Sequence, residues 1–160
     1  MNGYAEVCPT WAVIVGLMAG GILVAGCQPA TSNCPVTVPN GNTPPGEKSS
    51  PSYYGNGQLW TALWPESTVV FRPGGPGSTA PDGTLGMKWP WWRGLNGNLS
   101  IQGRRLDGEA PPLRAQIPNG YGVAGFQPTA LLFPTEGCWE VTGQVDAASL
   151  TFVTRVVKLP

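Results

Sequence analysis

Gly137-Cys138-Trp139-Glu140-Val141-Thr142-Gly143 and Ser149-Leu150-Thr151-Phe152-Val153-Thr154-Arg155-Val156-Val157 decide the fold. In the first stretch, Trp139 and Val141 fall on one face of an extended chain, with Cys138 and Glu140 on the other. Side chains on a strand alternate with a period of two, so this pattern reads as a half-buried strand. The second stretch is β-branched and alternates in the same way. A short turn through Val145-Asp146-Ala147 joins them, so the pair reads as a β-hairpin that closes the domain. Trp139 is expected in the core and Cys138 on the outward face.

The same signals recur toward the N-terminus. Gln58–Trp64 is aromatic-rich and stops at Pro65. Ser67–Arg72 is β-branched and stops at Pro73-Gly74-Gly75-Pro76-Gly77. Leu85–Trp92 and Gly125–Phe133 are strands in which Pro90 and Pro128 predict an edge or a bulge, because proline cannot donate to a ladder. Asn98–Gly103 and Leu113–Ile117 alternate. Short strands separated by turn signals every 8–12 residues or so predict an all-β, antiparallel immunoglobulin-like sandwich over residues 57–160. A small β-barrel is the alternative. No helical period persists after Cys27.

Composition excludes several functions. Charged residues are 11% of the 160, against roughly 25% in an average domain. The net charge is zero, without a basic cluster, so nucleic acid is not an expected partner. The chain has no His, which removes His-based triads, proton shuttles and metal ligands. Seven Trp and 41% hydrophobic residues still suffice for a packed core.

The chain begins with an address. Trp11–Gly26 carries no charge; it is short for a membrane span and long for the apolar region of a signal peptide. Leu23-Val24-Ala25-Gly26-Cys27 resembles the lipobox of bacterial lipoproteins. That resemblance implies a signal peptide over 1–26, cleavage before Cys27 and acylation of Cys27. The protein is then expected outside the cytoplasm, with the membrane as partner through its lipid anchor. One departure is the absence of Lys or Arg from residues 1–10, where Glu6 sits. An uncleaved anchor or an ordinary secretory signal are the other readings. Residues 27–56 are dense in Pro, Ser, Asn and Gly and read as a flexible tether.

Four Cys are present. Cys8 lies in the signal and Cys27 takes the lipid, which leaves Cys34 and Cys138. In an oxidising compartment these two are expected to pair. Two Cys without His make a poor metal site.

Seven blocks resemble those of uncharacterised bacterial lipoproteins or secreted proteins with an immunoglobulin-like domain. They are CPVTVPNGNTPPGE (34–47), GNGQLWTALWP (55–65), FRPGGPG (71–77), MKWPWWRG (87–94), GRRLD (103–107), PPLRAQIPNGYG (111–122) and FPTEGCWEVTG (133–143). The resemblance implies a fold and an address, and no activity.

No catalytic, cofactor or metal motif emerges. Asp107 and Glu109 are close in sequence but read as solvated loop residues, not as the facing carboxylates of a glycosidase. Pro81-Asp82-Gly83 reads as a turn. No Gly-x-Ser-x-Gly and no phosphate loop is present. Arg104 and Arg105 point to opposite faces, and one is expected to pair with Asp107 or Glu136. Lys88-Trp89-Pro90-Trp91-Trp92-Arg93 is the stretch suited to ligand contact: Trp89, Trp91, Trp92 and Arg93 are candidates for a stacking platform, with Tyr121 in a glycine-flanked loop. Packing in the core is the competing reading of the same Trp residues. The expected function is a non-catalytic module binding protein or cell-envelope glycan. The alternative is a structural envelope lipoprotein without a small ligand.

Overall fold

The computed structural model describes residues 34–160. The signal peptide expected over 1–26 and the lipidation expected at Cys27 lie outside the described residues.

Among the described residues there are ten strands: β1 (Tyr53–Gly55), β2 (Leu59–Ala62), β3 (Thr68–Phe71), β4 (Ser78–Thr79), β5 (Leu85–Arg93), β6 (Ser100–Arg105), β7 (Arg114–Gln116), β8 (Gly125–Phe133), β9 (Gly137–Val145) and β10 (Ala148–Lys158). One sheet runs β1-β2-β5-β8-β7, with β4 paired to one end of β5; the other runs β3-β10-β9-β6. The two sheets form a sandwich and do not close into a barrel, which removes the barrel alternative. The closing hairpin is tight, with Val145 opposite Ala148 and Asp146 in a left-handed conformation.

One pair departs from the expected antiparallel plan. β3 runs parallel to β10, with Thr68 opposite Arg155 and Phe71 opposite Lys158. The cause is the turn at Pro65–Ser67. β2 ends at Ala62, Pro65 opens the turn, and Glu66 and Ser67 take positive φ values of 52° and 49°, which passes the chain from one sheet to the other. Such backbone is unfavourable for L-residues and persists only where its surroundings hold it. Here Thr154 Oγ1 donates to the Ser67 carbonyl at 2.8 Å, and the Ser67 hydroxyl donates to the Thr37 carbonyl.

The core lies between the sheets. Trp89, Trp91, Leu131 and Phe133 face inward from one sheet; Trp139, Val141 and Phe152 face inward from the other. Trp89 stacks on Phe152 with ring centroids 5.1 Å apart and 12° between planes. Trp91 lies over Gly143, where a Cβ would run into its ring.

Pro90 and Pro128 mark neither an edge nor a bulge. The β5–β8 register runs unbroken from Leu85 opposite Phe133 to Arg93 opposite Gly125, with Pro90 facing Pro128 in the middle. Neither can donate, so this is a non-hydrogen-bonded position, where each backbone nitrogen points away from its partner strand. The outer ladders stop short of it, β2 at Thr61 opposite Trp91 and β7 at Gln116 opposite Ala130. No neighbouring strand therefore needs the missing N–H. Thr61 Oγ1 satisfies the Pro90 carbonyl at 2.8 Å.

The tether expected over 27–56 is folded onto the sandwich from Cys34 onward. Cys34 is disulfide-bonded to Cys138, with Cα atoms 5.4 Å apart, and both are buried. Cys138 is on the face opposite Trp139, as expected, but Cys34 covers it. Thr37 N donates to the Val153 carbonyl at 2.9 Å, and Val153 N donates back to Thr37 Oγ1 at 2.8 Å. Asn40 exchanges two hydrogen bonds with the backbone of Gly55, at 2.7 and 3.1 Å. Polar side chains thus bind this strap where apolar periodicity is missing, and its end supplies β1.

Candidate functional site

The outer face of the larger sheet carries the candidate site. The register places Trp60 on β2, Trp92 on β5 and Phe126 on β8 side by side across it. Tyr53 packs edge-on against Trp92 with centroids 5.3 Å apart. Phe126 lies 5.4 Å from Trp92, and Tyr121 lies 6.4 Å from Phe126. Tyr53, Trp92, Phe126 and Tyr121 make a continuous aromatic row from the strap to the loop after β7.

The strap closes one end of that row. Trp60 Nε1 donates to Asn42 Oδ1 at 3.0 Å, and Trp92 Nε1 donates to Glu47 Oε1 at 3.0 Å. Both indoles are buried. Burial first, and the Glu47 charge second, push the Tyr53 phenol above its ordinary pKa. The other end is open: Phe126 is 43% exposed and Tyr121 44%.

Beside the open end runs a groove of about 600 Å³. The facing prolines Pro90 and Pro128 contribute to it, and Ile117, Pro118, Tyr121 and Phe126 line it too. Lys88 and Gln116 add its polar groups, and no carboxylate lines it. The arrangement offers apolar rings and one cation; it offers no nucleophile paired with a base.

The expected platform is therefore redistributed. Trp89 and Trp91 are core residues, because the period of two sends both inward. Their indoles are not a stacking surface. Trp92 points outward but is closed over by Tyr53, Phe126 and the strap. Arg93 is buried at the end of the sandwich. Its Nη1 donates to the Gly97 carbonyl at 2.8 Å, and its Nη2 to the carbonyls of Tyr121 and Gly122, each at 3.1 Å. Arg93 thus fastens the loop that presents Tyr121. Of the five candidates, Tyr121 alone stands open. Phe126 is the exposed ring of this face that sequence reasoning missed; its signal was the alternation of Gly125–Phe133, which places it on the face opposite Gln127.

The remaining charged pairs are structural. Arg105 Nε donates to Asp107 Oδ1 at 2.6 Å, as expected, and Arg104 Nε to Glu140 Oε1 at 2.8 Å on the exposed face. Burial raises the pKa of Asp107, but the hydrogen bond from Arg105, the backbone bond at Cys138 and the Arg105 charge outweigh it. The carboxyl is held below its ordinary value. Asp82 forms the expected turn: Thr84 N donates to its Oδ1 at 3.0 Å and is the main cause of a lowered pKa.

Compared with protein-family models, curated proteins and solved structures, the chain matches none.

Proposed function

We propose that the protein is a lipid-anchored extracytoplasmic module with an immunoglobulin-like domain, whose role is non-catalytic binding of a protein or a cell-envelope glycan. The fold reading is supported by strand order. β2, β5, β8 and β7 follow the A-B-E-D sheet of such domains, and β6, β9 and β10 the C-F-G sheet. The disulfide differs from the inter-sheet bridge of antibody domains, since it joins the strap to β9. The address rests on Leu23–Cys27, and the Cys34–Cys138 bond supports an oxidising compartment.

The observation that carries the binding reading is the groove beside Tyr121 and Phe126. Exposed aromatic rings over an apolar floor are what contact with sugar rings or a polypeptide requires. A specific observation favours the structural alternative: among the Trp residues after position 57, all but Trp64 are buried and Trp64 is half-buried.

Three experiments test this. Intact mass from the native membrane fraction should give chain 27–160 plus acyl groups; an unprocessed, unlipidated chain would remove the anchor. Co-sedimentation with purified cell-envelope glycan should be lost in Tyr121→Ser/Phe126→Ser. If glycan does not bind, a photo-crosslinker at Phe126 should join one envelope protein reproducibly. Failure of both leaves the structural reading.

A further inference from the structure

Next to the groove, beyond the Tyr121 loop, a second cavity of about 290 Å³ opens at the end of the sandwich. Arg93 lines it, together with Asn98, Asn119, Gly120, Gly122 and Gln127. No Asp or Glu lines it, and among the described residues no carboxylate lies within ion-pair distance of Arg93.

Arg93 is only 4% exposed, and among the described residues its Nε has no hydrogen-bond partner. A guanidinium is always charged, so burial cannot be relieved by loss of a proton. Neutral carbonyls satisfy Nη1 and Nη2 but leave the charge uncompensated. Buried charges are ordinarily paired, and a buried donor without an acceptor is costly. The contrast lies within the same chain: Arg104 and Arg105 each direct Nε at a carboxylate.

We propose that this cavity is a binding site for a single carboxylate group, with Arg93 as its counter-charge. Asn98 and Asn119 are exposed amides in the cavity lining, with N–H donors for the same anion. One wall of the cavity is the loop 118–123, all of it exposed, whose Tyr121 and Gly122 carbonyls accept from Arg93 Nη2. Arg93 and the Gly97 N–H hold that loop; the latter donates to the Val123 carbonyl at 2.9 Å. Gly120 and Gly122, at φ 92° and 71°, give it backbone conformations that side chains resist. A peptide C-terminus and a sugar acid present this same chemistry. The proposal does not depend on what the neighbouring groove binds.

The test is a titration of the full, oxidised chain in detergent with sodium acetate, followed by the arginine Nε–Hε resonances. Sodium chloride at equal ionic strength is the control. The expected result is a saturable shift of Arg93 Nε–Hε and of the Gly120 and Gly122 amides, with Arg104 and Arg105 unmoved. Equal shifts at all three arginines, equal shifts with chloride, or no shift at Arg93 would each overturn the site. N-acetylglycine and glucuronate, compared next, distinguish a peptide from a sugar source by which binds more tightly than acetate. If neither does, a peptide C-terminus and a sugar acid are both overturned as the source of the carboxylate.

Discussion

The indole N–H of Trp92 donates to Oε1 of Glu47 at 3.0 Å, a bond between residues 45 positions apart. It presses the strap against the larger sheet and closes the aromatic row on that side. Trp92 is buried although it lies on the outer face of its sheet.

Glu47→Ala should therefore lower stability by about 1 kcal/mol, the net value of a typical hydrogen bond. Tryptophan emission should move to longer wavelength as the Trp92 edge meets water. Glu47→Gln keeps the acceptor and should retain most of both. Urea unfolding and fluorescence read this; an alanine variant equal to the parent in both would show that the strap is held elsewhere.

Reduction of Cys34–Cys138, or Cys34→Ser, should cost several kcal/mol. The bond spans 104 residues, and loop-closure entropy for that length gives about 5 kcal/mol before strain. Thermal melting with and without reductant measures it. An unchanged midpoint would mean that the hydrogen bonds of Thr37 and Asn40 alone secure the strap.

Thr61 sits between two buried groups. Trp89 Nε1 donates to its hydroxyl at 2.8 Å, and the hydroxyl donates to the Pro90 carbonyl at 2.8 Å. Thr61→Val keeps the volume and strands both, so a loss of about 2 kcal/mol is expected. Thr151→Val, at the exposed Thr142–Thr151 pair, should stay within about 0.5 kcal/mol. Equal losses at the two sites would contradict the burial argument.

Gly143→Ala should destabilise the domain by about 1–3 kcal/mol, because the new Cβ meets the Trp91 ring and strand backbone cannot withdraw. Recovery in Gly143→Ala/Trp91→Phe, measured as a double-mutant cycle, would locate the clash.

Acid should weaken the fold partly through Asp107. Its folded-state pKa is depressed, so its contribution is present above the unfolded value near 3.9 and is lost as pH falls through the lower folded value. Asp82 acts in the same direction. The urea midpoint of the parent should fall below about pH 4, and that of Asp107→Asn should fall less steeply. Parallel curves would refute this role for Asp107.

Strand positions were legible because alternation is local. Each of the eight stretches read from the sequence contains a strand, and Trp139 faces the core as its spacing required. The strands β1 and β4, of three and two residues, are too short to show a period. The Cys34–Cys138 pairing was legible by elimination, since two of the four Cys had other assignments. The site was half legible: Tyr121 was singled out, while Trp89 and Trp91 belong to the core and Phe126 went unnoticed.

By itself, then, the sequence determined which segments extend, where they turn and which side chains share a face. Those properties follow from steric preferences and a two-residue period within one segment. Only the tertiary structure decided that Pro90 meets Pro128, that β3 lies parallel to β10, that the strap seals Trp60 and Trp92, and that Arg93 is buried without a carboxylate partner among the described residues. Each depends on a partner distant in sequence. A period of two assigns a side chain to a face, but what covers that face is set by chain topology and by hydrogen bonds such as Thr37 to Val153, 116 residues apart.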